Sequence, residues 1–273
     1  MLKQWSWFNK LSLVLGFSFL YVPILLLVIY SFNESRLVTV WAGFSTKWYG
    51  ALLQNEGILS AAMVTIKVAL ISSTFATVFG TMAGFSMVRF GRFRGRTLFN
   101  GMIYAPLVMP EVITGLSLLL MFVAISLDRG MWTITLAHTT FSMCYVAVVI
   151  QARLNSFDRS IEEAAMDLGC TPLKTFFVIT LPVILPGVLS GWLLSFTLSL
   201  DDLVIASFTT GPGATTLPMK IYSMVRLGVT PEINAVSTIL IGIVAVGVLL
   251  TSIMHKKRED QRKKDEMLAA ASS

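Results

Sequence analysis

The sequence predicts an all-α, polytopic membrane protein with six transmembrane helices, and three observations lead there. Charged residues make up 13% of the chain and hydrophobic residues 55%, with a mean hydropathy of +0.76. An average soluble domain carries about 25% charged residues. Six segments are apolar over about the 20 residues that a bilayer core requires. The lysines and arginines between those segments fall mainly on one side.

The first apolar segment, 11–32, follows Lys3 and Lys10. Its core is too long for a secretory signal and no A-x-A site follows, so it reads as a retained anchor. The others run 60–88, 101–126, 132–151, 183–208 and 236–254. The second is overlong, which tilt or extension past the bilayer would absorb. Gly80-x-x-x-Gly84 and Gly187-x-x-x-Gly191 place small residues on one helix face and permit close helix approach.

Orientation follows from the basic residues. With a cytosolic N-terminus, the inner side holds Lys3, Lys10, Arg89, Arg92, Arg94, Arg96, Arg153, Arg159, Lys174, Lys256, Lys257, Arg258, Arg262, Lys263 and Lys264. The outer side holds Arg36, Lys47, Arg129, Lys220 and Arg226, and Lys67 lies within a span. That asymmetry is the positive-inside pattern, and it places both termini in the cytosol. The net charge of +6 is therefore a topology signal and does not point to nucleic acid. The basic tail after His255 suits either anionic headgroups or water. The whole chain, 1–273, reads as a single transmembrane domain with no soluble catalytic insert.

Cys144 falls in an apolar run and Cys170 in a loop placed in the cytosol, which implies neither a disulfide nor a metal site. His138 and His255 are far apart and match no metal motif.

The loop between the fourth and fifth spans, 152–182, carries the strongest local signal. Ser160 reads as an N-cap, with Glu163 three residues on completing a capping box. Ile161, Ala164, Ala165 and Leu168 form one apolar face. Gly169 can take the left-handed conformation that ends a helix. Thr171 and Pro172 start a second helix, and Pro182 is expected to close the unit. An amphipathic helix pair of this kind, at 160–178, must dock on headgroups or on a partner protein. The small Ala164 and Ala165 suit a protein groove.

Glu163-Ala164-Ala165, three residues, Gly169, nine residues, Ile179, one residue, then Leu181-Pro182 resembles the EAA motif of binding-protein-dependent ABC importer permeases, the MetI-like family. The resemblance implies that Glu163, Ala164, Ala165, Gly169, Ile179, Leu181 and Pro182 belong to a loop that seats in a cleft of a separate ATPase. No G-x-x-x-x-G-K-[ST] phosphate loop is present. The nearest lookalike, GRFRGRT at 91–97, has three residues between its glycines and Arg where Lys is needed. The chain is thus expected to bind no cofactor, with ATP and Mg on the partner ATPase, and to be a transport subunit rather than an enzyme.

Within that family the chain is similar to polyamine permeases of the PotC and PotI type. The similarity rests on APLVMPEVITGLSLL at 105–119, RSIEEAAMDLGCTPLKTFFVITLP at 159–182, and the stretch 199–239 with its GPGATTLP segment, which resembles the putrescine type more than the spermidine type. It implies a heterodimer with a second permease of the PotH or PotB type, two copies of an ATPase below, and a periplasmic polyamine-binding protein above.

A path for a flexible polyamine needs carboxylates and aromatic or apolar walls. Acids within a span usually mark such paths. Asp201 and Asp202 interrupt the fifth span, and Glu111 follows Pro110 in the third. Two readings stand for each. Glu111 either lines the path or serves a helix restarted at Pro110, and one aspartate either lines the path or pairs with Lys67. Tyr104, Trp192 and Tyr222 are candidate wall residues, with ordinary packing or interfacial anchoring as the alternative. The Gly211-Pro212-Gly213 segment is either an outer loop that meets the binding protein or a connecting turn. Rival functions are import of another small solute such as iron, thiamine or an opine, and an intramembrane enzyme built on Asp201, Asp202 or Ser199. Adjacent aspartates on a helix diverge by about 100°, and no His or Lys base stands at a useful sequence spacing.

Overall fold

The computed structural model describes residues 7–37, 40–228, 230–243, 245, 246 and 261. Regular structure among them is helical, apart from one isolated bridge between Asn33 and Phe44. In chain order the helices are α1 Trp7–Tyr30, α2 Lys47–Gln54, α3 Glu56–Arg89, α4 Arg96–Val108, α5 Glu111–Ala124, α6 Met131–Asn155 and α7 Ser160–Asp167. Then come α8 Pro172–Thr175, a π-helical turn Phe176–Thr180, α9 Leu181–Asp201, α10 Val204–Thr209, α11 Leu217–Leu227 and α12 Pro231–Ile243.

Four helical rods are long and apolar enough to cross a membrane: α1, α3, α6 and the continuous stretch Pro172–Asp201. They correspond to the expected first, second, fourth and fifth spans. At 34 residues, α3 is about 51 Å long at 1.5 Å per residue, so the overlong reading of the second span holds. The third expected span is broken. Helices α4 and α5 meet at 119° because Pro110 has no N–H to continue the ladder. Pro110 also forces Met109 into an extended conformation, φ −76° and ψ 140°. The fifth span ends at Asp201, earlier than expected, and the chain restarts as α10. The sixth is described only as α12; residue 244 and 247–254 of it, with most of the basic tail, lie outside the described residues.

The chain divides into two compact units, residues 57–222 and residues 1–56 with 223–273. In the latter, α1 buries none of its residues, which a helix solvated by lipid can do without penalty. The segment after it is built on buried Asn33. Its Nδ2 donates to the Val40 carbonyl at 2.8 Å, and its Oδ1 accepts the Ala42 N–H at 3.0 Å. Its carbonyl accepts Trp48 Nε1–H at 2.7 Å. Phe32 stacks on Phe44, with ring centroids 5.3 Å apart.

The unit 57–222 is organised around α6, of which 67% of the most apolar stretch is buried. Both glycine pairs lie against it. A β-carbon on Gly80 would stand 2.6 Å from Val146 Cβ, and one on Gly84 would stand 2.8 Å from the Ala147 carbonyl. Gly187 meets Arg153 and Gly191 meets Val146, at 3.1 and 3.2 Å. Val146, Ile150, Leu154 and Ile184 make the resulting core, and Met87, Ile103 and Ala147 join α4 to it. Near the other end of α6, Phe122, Ala137, Phe141 and Ile205 pack α5 and α10 together.

Gly80→Val drives a branched side chain into Val146 and the Met143 carbonyl. It is expected to cost about 1–3 kcal/mol, as overpacking does. The check is the thermal midpoint of the purified protein in nanodiscs, with the exposed Gly101→Val as control.

Candidate functional site

The break between α9 and α10 places the two aspartates in different surroundings. Asp201 ends α9 with its side chain exposed. Asp202 has extended backbone and turns inward, its side chain 9% exposed. The Asp202 carboxylate accepts the N–H groups of Ile205 at 3.3 Å and Ala206 at 2.7 Å, serving the first turn of α10. Its Oδ2 also lies 3.0 Å from His138 Nε2. A carboxylate only accepts, so Nε2 carries the hydrogen, and Nδ1 on the other side of the ring lies 2.7 Å from Ser199 Oγ. Ser72 Oγ donates in turn to Ser199 Oγ at 3.2 Å. The chain Ser72–Ser199–His138–Asp202 thus ties α3, α6 and the broken fifth span at one buried point.

Two expectations are corrected here. Lys67 does not pair with either aspartate: it is exposed, and no ion pair involves it among the described residues. A histidine does reach Ser199 and Asp202, brought from 61 and 64 positions away by helix packing that spacing along the chain does not show. Although Ser199, His138 and Asp202 stand in the order of a nucleophile triad, Ser199 is 4% exposed, which leaves its hydroxyl no open approach for a substrate.

Glu111 opens α5, exposed, directly after the 119° bend. That is where the positive end of a restarted helix favours an acid, and it lies within electrostatic reach of Tyr145. Tyr104 is 41% exposed, its hydroxyl 3.5 Å from Gln151 Oε1. Trp192 stacks on Phe196 at 5.2 Å and donates Nε1–H to Thr74 Oγ1 at 3.3 Å. Tyr222 is 44% exposed on α11. Among the described residues, no hydrogen bond or ion pair joins Glu111, Asp201, Tyr104 and Trp192 into one cluster. The Gly211–Gly213 segment is a turn packed at Gly211 and exposed at Pro212 and Gly213. A β-carbon on Gly211 would stand 1.9 Å from the Arg129 carbonyl, Gly213 has φ +72°, and Thr133 Oγ1 donates to the Thr209 carbonyl at 2.7 Å.

In the helix pair, Gly169 has φ +89° and ends α7 in a Schellman arrangement. The Gly169 N–H reaches the Met166 carbonyl and the Cys170 N–H the Ala165 carbonyl. Thr171 caps α8 by accepting the Lys174 N–H at 3.3 Å, with Pro172 in the first turn. Ser160 is not the cap expected of it. Helix α7 already includes Ser160, whose N–H donates to Asp158 Oδ1 at 3.0 Å and holds that carboxyl below the ordinary carboxylate range. Glu163 pairs with Arg159 at 3.0 Å, out in solvent.

Nor does Pro182 close the unit. The helix runs unbroken from Pro172 to Asp201, and the π turn at Phe176–Thr180 absorbs the proline. Leu181 N–H bonds the Phe176 carbonyl five residues back, so the ladder is already shifted where Pro182 lacks its donor. Ile179 belongs to this turn, and half-buried Leu181 starts α9 directly after it. Ile161, Ala164, Leu168 and Leu173 form an exposed apolar surface, Leu168 at 88%. Glu162 and Ala165 face inward instead. Glu162 Oε2 lies 2.7 Å from Arg89 Nε at the end of α3, and its Oε1 accepts Thr180 Oγ1–H at 2.6 Å.

Residues 76–260 match the model of the family described as binding-protein-dependent transport system inner membrane component. The chain belongs to that family. It is 60% identical over 259 residues to the putrescine transport system permease protein PotI of Escherichia coli K12, covering 93% of this chain and 92% of that protein. It is 40% identical to the spermidine/putrescine transport system permease protein PotC of the same organism, over 89% of this chain and 91% of that one. Its fold matches a crystal structure of a bacterial ABC transporter that imports alginate, with a TM-score of 0.70, 16% identity, and coverage of 90% of this chain and 94% of that chain.

This inner membrane component is thus a permease subunit with a MetI-like fold, not an enzyme. Two residues central to its geometry escaped the sequence reading. His138 stood alone in an apolar run, and that solitude was the usable signal, because an ionisable group within a span needs a partner there. Glu162 was overshadowed by its neighbour Glu163, although it shares the inward face of Ala165 at i, i+3.

Asp202→Asn leaves one oxygen for acceptor work shared between two carboxylate oxygens, and strands the Ala206 N–H. A loss of about 1–3 kcal/mol in stability is expected. The exposed Asp201→Asn should stay within about 0.5 kcal/mol. Thermal unfolding of the two purified variants makes the comparison.

Proposed function

We propose that this chain forms half of the translocation path of an ATP-driven polyamine importer, with putrescine as its main substrate. The observation that carries the reading is the 60% identity to a putrescine permease across 93% of the chain, against 40% to a spermidine/putrescine one. Exposed carboxylates at both helix breaks, Glu111 and Asp201, support it, since each offers a diammonium ion a negative partner. Asp202 serves the fold around them. Tyr104, Trp192 and Tyr222 supply wall surface along the same route.

The permease works as one domain of six spans in the inner membrane, with both termini in the cytosol. It pairs with a second permease of the PotH or PotB type. The surface of Ile161, Ala164, Leu168 and Leu173 docks in a cleft of a cytosolic ATPase, with Glu163 and Gly169 at its edge. A loaded periplasmic polyamine-binding protein docks outside, and ATP closes the ATPase pair. The motion passes through α7 and α8 into the spans, which open outward to accept the cation. Hydrolysis on the ATPase resets the path, and this chain makes and breaks no bond.

Radiolabelled uptake in cells lacking the chain, with and without its return on a plasmid, tests the substrate. Restored putrescine uptake, competed weakly by spermidine, supports the proposal. An unchanged signal with the protein present in the membrane returns the substrate to the wider family. In the same assay Asp201→Asn should lower putrescine uptake about tenfold, the effect of about 1.4 kcal/mol, and normal uptake would remove Asp201 from the path.

Gly169→Asp puts a side chain on a residue at φ +89° and a charge beside the docking surface. Loss of both uptake and ATPase co-purification is expected. Full transport with the ATPase still bound would dismiss the docking surface.

A further inference from the structure

Glu162 belongs neither to the path nor to the exposed docking surface, yet it is a buried carboxylate with two partners on two different elements. Its side chain is 8% exposed and that of Arg89 is 11% exposed. Arg89 also lies over the Phe157 ring, 5.7 Å from its centroid. We propose that Glu162 is a positioning residue for coupling, a latch that makes α3 follow the movement of α7.

The proposal rests on the reading that α7 docks on the ATPase, and the connections of α7 lead from there to α3. Helix α7 is joined covalently to α6 through residues 156–159, and to α9 through Gly169 and the unbroken helix that starts at Pro172. Those links suffice to move α6 and α9. Helix α3 has no such link, since the chain from Arg89 reaches α7 only by way of α4, α5 and α6. The Arg89–Glu162 contact supplies one at the last turn of α3. Thr180 Oγ1 on the other carboxylate oxygen fixes the same side chain to the π turn.

A buried pair of this kind resists separation, because parting it leaves an uncompensated charge out of water. Helices α3 and α9 then meet again at Ser72 and Ser199, beside the break that exposes Asp201. The latch at one end and this buried chain at the other make α3 and α9 two arms driven by one helix.

The test uses the whole importer in proteoliposomes and counts ATP hydrolysed per putrescine taken up. Glu162→Gln keeps an acceptor for Thr180 and loses the ion pair. The ATPase should still co-purify and hydrolyse ATP, while uptake per ATP falls roughly tenfold, within the range over which residues of a coupling network act. Arg89→Glu combined with Glu162→Arg should recover part of that ratio, which a merely local packing role would not. Thr180→Val, which removes one arm without touching the charges, should lower the ratio less. A wild-type ratio in Glu162→Gln overturns the latch. Should that variant fail to assemble, a wild-type ratio in Thr180→Val overturns it. If the wild-type chain itself does not hold the ATPase, the docking reading falls and the latch with it, an outcome distinct from a bound ATPase with an unaffected ratio.

Discussion

Close approach to α6 is the constraint on which the unit 57–222 depends. In a bilayer an apolar side chain gains little by leaving lipid for protein, so helices hold together through contact density and internal hydrogen bonds. Gly80 and Gly84 bring α3 onto α6, and Gly187 and Gly191 bring α9. No larger residue would let backbone carbonyls such as those of Met143 and Ala147 come so near. The same seams bring buried polar groups together. With α3 and α9 both fixed on α6, Ser199 comes within hydrogen-bonding distance of both Ser72 and His138. A looser packing would leave His138 as an unpaired polar group inside a span.

Two spans are broken, and a break exposes main-chain groups that lipid cannot satisfy. The two breaks are handled differently. At Pro110 the proline removes a donor, and the carbonyl of Pro110 is taken up by the N–H groups of Ile113 and Thr114. Glu111 then stays exposed at the helix start. At Asp202 the carboxylate itself satisfies the first N–H groups of α10. An acid spent in this way is no longer available to a cation, while Asp201, one residue earlier, keeps its side chain outward. A helix turns about 100° per residue, so the backbone change at 202 is what separates a structural acid from a candidate path acid.

Much of this was legible in the sequence. Apolar runs marked the rods, the glycine pairs marked the seams, and Gly169 and Thr171-Pro172 marked the turn and the second start of the helix pair. These are local signals, each resting on a residue whose backbone preference or size has few alternatives. Breaks and partnerships were less legible. Pro110 was read as a place where a helix restarts, but nothing local gives a bend of 119°. Ser160 looked like a cap because Ser-x-x-Glu is the pattern, yet Asp158 reaches the same N–H first. His138 finds Ser199 and Asp202 61 and 64 positions away, and Glu162 finds Arg89 73 positions away, across helix contacts that only the packed structure fixes.

Pro182 shows how a residue that normally stops a helix can instead preserve one. In a regular helix it would leave the Val178 carbonyl unpaired and press its ring against it. The π turn inserts its extra residue just before that point, and Leu181 N–H already reaches five residues back to Phe176. The mismatch is thus absorbed before the proline arrives. The result is a rod of 30 residues, about 45 Å at 1.5 Å per residue, with α8 at one end and Asp201 at the other. A hinge at Pro182 would dissipate a displacement of α8 as bending. A continuous helix converts it into tilt or rotation at the far end, where the chain breaks at Asp202. The π turn also carries Thr180, so the segment that keeps the rod whole is the one gripped by Glu162.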